Sequence, residues 1–86
     1  MRVLSHRDFD RQVKKLKPNE QAKLKQRLML FAADPENPVL SNHALKGKYR
    51  GYRSINITGD LRAIYQLIKK DTAFFVIIDT HSNLYS

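Results

Sequence analysis

Two side chains near the end of the chain, His81 and Tyr85, have the chemistry to exchange protons. They follow the apolar run 74–78, which predicts a buried strand ending just before them. An imidazole can donate or accept a proton near neutral pH, and a phenol can donate one or stack on a flat ring. The pair therefore predicts acid–base chemistry where a strand ends. The alternative is that His81 has no chemical task and that Tyr85 covers the sheet as an apolar lid.

The charge of the chain indicates what that chemistry would act on. Sixteen Lys and Arg against eight Asp and Glu give a net charge of +8 and an isoelectric point near 10.1. Between residues 37 and 59 there are four basic residues and no acid, namely Lys46, Lys48, Arg50 and Arg53. Such a domain usually meets phosphate, anionic lipid or an acidic protein. Together with His81 and Tyr85 the charge favours nucleic acid, the alternative being a merely solvated basic surface.

Length and composition narrow the class of protein. The 86 residues predict a single domain over 1–86, and the chain has no Cys, which excludes disulfides and fits a reducing compartment. Three His without Cys have no metal-ligand spacing, so we expect neither metal nor cofactor. No signal peptide and no apolar run of roughly 20 residues is visible. We therefore expect a cytoplasmic domain that does not meet a membrane.

The first half of the chain predicts a short strand followed by a helical hairpin. Residues 2–4 can form a brief strand, and Ser5 with Asp8 three residues later is typical of a helix N-cap. Apolar residues at helical spacing then mark one helix (Phe9, Val13, Leu16) and a second one (Leu24, Leu28, Phe31). Pro18 separates the helices, so the second is predicted from about residue 19 or 20 to Asp34.

The second half predicts strands. Residues 36–45 are expected to be a loop, and 47–51 a flexible basic segment between two Gly. The apolar period then changes to two, which predicts strands at 52–57, 61–68 and 74–78 joined by turns at 58–60 and 69–71. Short turns favour an antiparallel meander. The predicted fold class is α+β, with an N-terminal strand and a helical hairpin packed on a mainly antiparallel sheet.

Three segments in this order resemble the RelE/ParE toxin superfamily, and most closely its YafQ-like branch. They are Leu45-Lys46-Gly47-Lys48-Tyr49, Arg62-Ala63-Ile64-Tyr65 and Thr80-His81-Ser82-Asn83-Leu84-Tyr85. The resemblance covers nearly the whole chain. It implies a toxin of a toxin–antitoxin pair. In the RelE and YafQ branches the toxin cuts messenger RNA in the ribosomal A site, whereas the ParE branch poisons DNA gyrase.

The resemblance also implies catalytic roles. His81 matches the YafQ-like C-terminal histidine, a general acid or base, and Tyr85 matches the aromatic position four residues later, which can stack on a base. Arg62 matches a RelE-like strand arginine whose fork can grip phosphate oxygens, the alternative being a pair with a cross-strand acid. Asp60 matches a turn aspartate that could orient His81 or accept a proton, although Asp is also ordinary in a turn.

The remaining matches concern the RNA. Lys46 and Lys48 fall in the basic stretch that RelE-like members place beside the scissile phosphate, and His43 matches the first YafQ-like histidine. Arg50 and Arg53 are expected to contact phosphate or ribosomal RNA. Three positions depart from the YafQ-like pattern: Asn56 replaces a histidine, Leu61 a tryptophan and Ile77 an arginine.

The leading hypothesis is thus a toxin that cleaves translated messenger RNA by metal-free acid–base catalysis. Its expected partners are messenger RNA in the A site, ribosomal RNA, and a cognate antitoxin with which it forms a hetero-oligomer. One alternative is a ParE-like gyrase inhibitor without catalytic activity. Another, suggested by the three departures, is a member that only binds nucleic acid together with its antitoxin.

Overall fold

The computed structural model describes residues 1–85 as one sheet covered by helices. The strands are β1 (Arg2–Ser5), β2 (His43–Ala44), β3 (Arg53–Asn56), β4 (Leu61–Lys69) and β5 (Thr72–Thr80), and the α-helices are α1 (Arg7–Lys14), α2 (Pro18–Ala33) and α3 (His81–Tyr85). The sheet order is β1-β5-β4-β3-β2. Only β1 pairs in parallel, with β5. The predicted α+β fold and its C-terminal meander are confirmed.

The start of α1 differs from the prediction. His6, and not Ser5, is the N-cap, because its backbone is extended and its Nδ1 accepts a hydrogen bond from Asp8 N at 3.0 Å. Ser5 is the last residue of β1, and its hydroxyl donates to Asp10 Oδ1 at 2.7 Å. The predicted Ser5 cap is therefore wrong, since the strand continues one residue further than the sequence suggested.

The helical hairpin forms as predicted, with small shifts at its ends. α2 begins at Pro18, where a missing N–H costs nothing because the first helical N–H has no partner within the helix. Lys17 N donates to Glu20 Oε1 at 2.9 Å. The Gln21 side chain donates to the carbonyls of Val13 and Leu16, which ties the end of α1 and the linker to α2. None of the helices in residues 1–85 is long and apolar enough to cross a membrane.

Apolar residues pack on both faces of the sheet, because successive strand residues point to opposite sides. The main core lies between the helical hairpin and one face, and it contains Phe9, Leu24, Phe31, Leu40, Ile55, Ile57, Leu61, Ala63, Tyr65, Ala73, Phe75 and Ile78. A smaller cluster of Leu45, Ile64 and Leu84 packs with Tyr49, Tyr52, Val76 and Ile77. We call this the second cluster. It supports α3 and the segment around Leu45.

The segment predicted as a loop, 36–45, contains more structure than expected. Pro38–Leu40 forms a 3-10 turn that buries Leu40, and β2 pairs antiparallel with β3. The segment 47–51 contains a 3-10 turn at Gly47–Tyr49. The prediction of a loop throughout 36–45 was wrong, since two- and three-residue elements are too short to produce an apolar period.

Candidate active site

A cleft of about 490 Å³ lies where β2, β3, β4 and α3 meet. Its walls are Ser41, His43, Ala44, Leu45, Lys46, Asn56, Arg62, His81 and Tyr85. Five of the nine predicted site residues therefore share one cleft, although they are spread over more than 40 positions of the chain. Among residues 1–85, two of the lining residues are cations, Lys46 and Arg62, and none is a carboxylate, so these walls favour an anion.

His81 and Tyr85 are held in place by α3. They are four residues apart and so lie on the same side of the helix, with ring centroids 4.8 Å apart. The backbone N–H of His81 donates to the backbone carbonyl of Asp60 at 2.9 Å. This bond fixes the start of α3 to the turn between β3 and β4. Leu84 is buried in the second cluster. The apolar side chain between the two polar ones thus anchors both at the cleft.

Tyr85 also meets a second aromatic ring. Tyr49, from the 3-10 turn at 47–49, lies edge-on to it with centroids 6.4 Å apart. Tyr85 is exposed, so one face of its ring can receive a flat ligand. Reasoning from the sequence missed Tyr49, whose only signal was its place between two basic residues.

Arg62 is oriented by the turn that precedes it. Its Nη1 donates to the carbonyls of Thr58 and Leu61 at 3.0 and 3.1 Å, and its Nη2 donates to the Gly59 carbonyl at 3.2 Å. These bonds use at most three of the five guanidinium N–H groups, which leaves donors for a ligand in the cleft.

The cross-strand alternative for Arg62 does not hold in this structure. Asp79 lies opposite Arg62 in the sheet register, but within residues 1–85 the only ion pairs are those of Asp8. The Asp79 carboxylate instead accepts hydrogen bonds from Thr80 N at 2.7 Å and Asn83 Nδ2 at 3.0 Å. Asp79 therefore bonds to residues at the start of α3 and forms no ion pair with Arg62 within residues 1–85. The helix itself is capped by Thr80, whose Oγ1 accepts from Asn83 N at 3.2 Å.

His43 has a defined tautomer. Its Nδ1 lies 2.8 Å from the Ser41 carbonyl, and because a carbonyl only accepts, Nδ1 carries the hydrogen. In the neutral ring the lone pair is then on Nε2. Ser41 has a left-handed backbone, with φ of 46°. This conformation is uncommon for residues other than Gly, and it turns the Ser41 carbonyl toward His43. Sequence reasoning gave no sign of this role for Ser41.

The segment carrying His43 is anchored by its neighbour Asn42. The Asn42 amide donates to the Pro35 carbonyl at 2.9 Å and lies 2.8 Å from the Tyr65 hydroxyl. Arg53 Nε donates to Asn42 Oδ1 at 2.9 Å. Arg53, predicted as an RNA contact, is half-buried and holds this network together. We call these contacts the Asn42 network.

The other predicted site residues lie outside the cleft. Lys48 stands over the Tyr49 ring at 5.2 Å and lines a different depression with His6 and Gln66. Arg50 is exposed on the surface. Asp60 is exposed and reaches His81 through its backbone carbonyl.

The three departures from the YafQ-like pattern have different surroundings. Leu61 is buried in the main core, and Ile77 packs against the second cluster. Asn56 alone of the three lines the cleft, where its amide can donate and accept hydrogen bonds. Two of the departures therefore serve packing, and one supplies a polar group to the site.

The fold, a five-stranded mixed sheet with a helical hairpin on one face, is shared with solved structures of bacterial toxins. The YafQ toxin of E. coli strain BL21(DE3) superposes with a TM-score of 0.80 at 24% identity over 100% of both chains. A YoeB/ParE toxin from Agrobacterium tumefaciens gives a TM-score of 0.76 at 16% identity, covering 94% of this chain and 99% of that one.

The sequence identifies the family more closely. The family described as the bacterial toxin of the type II toxin-antitoxin system, YafQ, matches residues 1–86. The chain belongs to this family, and the predicted resemblance is confirmed. In the E. coli DinJ-YafQ toxin-antitoxin complex, a chain with 25% identity gives a TM-score of 0.77, with 98% and 96% of the two chains covered. No curated protein matched the sequence.

Proposed function

We propose that this toxin is a ribosome-dependent endoribonuclease that cleaves translated messenger RNA through attack of a 2′-hydroxyl. The observation that supports this most is the cleft itself, where two imidazoles, a phenol and two cations converge and where none of the lining residues within 1–85 is a carboxylate. This set supplies proton acceptors, proton donors and phosphate ligands, which are the groups that RNA cleavage without a metal requires.

The proton transfers can be assigned to the two histidines. In the proposed reaction a base takes the 2′-hydroxyl proton, the 2′-oxygen bonds to phosphorus, the bond to the 5′-oxygen breaks, and an acid protonates that oxygen. The products are a 2′,3′-cyclic phosphate and a 5′-hydroxyl. His43 suits the base, because its neutral tautomer leaves Nε2 free. His81, beside Tyr85, then acts as the acid.

The other residues position the RNA. Arg62, held by three carbonyls, would receive two phosphate oxygens on its remaining donors, and Lys46 would offset the charge of the transition state. Tyr85 would stack on a base, a contact worth about 1–3 kcal/mol. Because the cleft is open and shallow, we propose that the ribosome supplies the alignment of the substrate.

The proposed inhibitor is a cognate antitoxin that binds as a hetero-oligomer. The support is the E. coli DinJ-YafQ complex, in which a similar chain is bound to its antitoxin. The net charge of +8 favours an acidic antitoxin segment that covers the cleft and the helices. Such segments often fold as they bind.

The test is to induce the wild type and the His81→Ala/Tyr85→Ala double variant in bacteria and to map messenger RNA 5′ ends. We expect in-frame cuts within translated codons for the wild type and none for the double variant. Ser82→Ala is the control, since Ser82 is exposed in α3 and outside the cleft lining. Growth arrest with intact messenger RNA and inhibited supercoiling by gyrase would contradict the proposal.

A further inference from the structure

A second cleft adjoins the active-site cleft and contains residues that the proposed reaction does not use. It measures about 410 Å³ and is lined by Lys23, Arg27, Val39, Asn56, Ile57, Thr58 and Gly59. Asn56 lines both clefts, so the two are neighbours. We call this second depression the α2 cleft.

The α2 cleft carries two positive charges, Lys23 and Arg27. Lys23 and Arg27 are four residues apart on α2 and so project from the same side of the helix. Both are half-buried. Neither belongs to an ion pair within residues 1–85, and none of the cleft-lining residues is acidic. Lysine and arginine side chains on an ordinary solvated surface would be fully exposed, whereas Lys23 and Arg27 line a cleft.

One donor in this cleft is buried and has no partner. Arg27 Nε is inaccessible to solvent and makes no hydrogen bond. A buried donor without a partner costs roughly 1–3 kcal/mol, and more when it belongs to a charged group, so nearly all such groups in native proteins are satisfied. Within residues 1–85 the fold thus leaves this guanidinium nitrogen without an acceptor. Because Nε is closed to solvent, a ligand in the α2 cleft would have to meet Arg27 through its two terminal nitrogens.

The turn between β3 and β4 connects the two clefts. On the active-site side Arg62 donates to the carbonyls of Thr58 and Gly59. On the other side the same two residues line the α2 cleft with Arg27. The turn thus has Arg62 on one side and Arg27 on the other, and two phosphates of one RNA strand could each meet one of these cations.

We propose that the α2 cleft binds a phosphate of the RNA backbone, so that RNA held in the active-site cleft continues past Asn56 to Lys23 and Arg27. This inference rests on the proposed ribonuclease function and extends its binding surface. The phosphate belongs either to the messenger RNA itself or to ribosomal RNA, which share the same chemistry. An acidic protein segment is the competing ligand.

The test compares Lys23→Gln/Arg27→Gln with the control Arg7→Gln/Lys25→Gln, which removes the same charge from exposed positions outside both clefts. Lys23→Gln alone serves if the double variant folds poorly. Binding of 2′-O-methyl oligoribonucleotides, which cannot be cleaved, is measured by fluorescence anisotropy across a salt series. A dinucleotide and a hexanucleotide are compared. Binding to ribosomal small subunits is measured in parallel, and messenger RNA cleavage by the wild type is confirmed separately.

We expect the double variant to lose affinity for the hexanucleotide but not for the dinucleotide. The slope of log affinity against log salt should fall by about 0.7 for each phosphate released. Unchanged oligonucleotide binding with weaker binding to the ribosomal subunit would assign the phosphate to ribosomal RNA.

If the double variant matches the control in both assays while the wild type still cleaves messenger RNA, the inference about the α2 cleft is overturned and the proposed function is not. A defect confined to antitoxin binding would also overturn the inference, because it would identify an acidic protein segment as the ligand. A wild type that neither binds nor cleaves RNA would instead refute the proposed function.

Discussion

Replacing Asn42 should destabilise the protein more than its partial exposure suggests, because the side chain holds three elements at once. It bonds to the Pro35 carbonyl before β2, to Tyr65 in β4 and to Arg53 in β3. Asn42→Ala removes all three contacts and leaves the Tyr65 hydroxyl and Arg53 Nε without this partner. We therefore expect a large loss of stability from a single polar truncation.

The size of the loss follows from the kinds of bond. Each neutral hydrogen bond contributes about 1 kcal/mol, and the one from the Arg53 guanidinium about 1.5–3 kcal/mol. After allowance for the part-buried setting of the network, we expect a decrease of about 3 kcal/mol in the free energy of unfolding. For a domain of this size that corresponds to roughly 12–24 °C in Tm.

Thermal and urea unfolding followed by circular dichroism would measure this loss. Asn19→Ala is the matched control, since Asn19 is exposed on α2. Tyr65→Phe should cost about 1 kcal/mol in the wild type and close to nothing once Asn42 is Ala. If Asn42→Ala and Asn19→Ala lowered the free energy of unfolding equally, the proposed importance of the network would be refuted. The same holds if the effects of Asn42→Ala and Tyr65→Phe were fully additive.

Three further substitutions test other parts of the structure. Leu84→Ala should free α3 from the second cluster, at a cost of about 2–3 kcal/mol. It should also speed hydrogen exchange in α3 and abolish the proposed RNA cleavage, with the exposed Leu67→Ala as its control; unchanged hydrogen exchange in α3 would disprove the anchoring role. Ser54→Ala should leave the free energy of unfolding unchanged or raise it by up to about 1 kcal/mol, since the buried hydroxyl has no hydrogen-bond partner within residues 1–85. A lower urea midpoint for this variant would contradict that expectation. Gly51→Ala should cost roughly 1–2 kcal/mol because Gly51 has a φ of +92°, whereas Gly59→Ala, with open space and no positive φ, should cost less in the same assay.

The elements that the sequence predicted well are those long enough to show a period. The alternation in residues 61–68 predicted β4 almost to its ends, and Pro18 marked the boundary between the helices. β2 has only two residues, and α3 only five, so neither produces a period of its own. Both are stabilised by tertiary contacts, through pairing with β3 and through burial of Leu84.

The composition of the site was easier to predict than its geometry. His81 and Tyr85 stood out because they are four positions apart and follow an apolar run. The tautomer of His43 depends on the carbonyl of Ser41, and the orientation of Arg62 depends on carbonyls of a turn. Backbone groups have no sequence signature, so these features appear only once the chain is folded. Arg53 was predicted to contact RNA because it is basic, but in the structure its side chain belongs to the Asn42 network.

The parallel pairing of β1 with β5 has a consequence for the order in which the protein folds. Arg2 aligns with Thr72, about 70 residues later, and closing a loop of that length costs roughly 4 kcal/mol of chain entropy. The hairpins of β3, β4 and β5 close over much shorter distances, so we expect them to form first and β1 to join last. During synthesis the growing chain would carry most of its basic residues long before β5 emerges. The candidate site would thus stay incomplete until β5 has been made, because β5 leads directly into His81 and Tyr85.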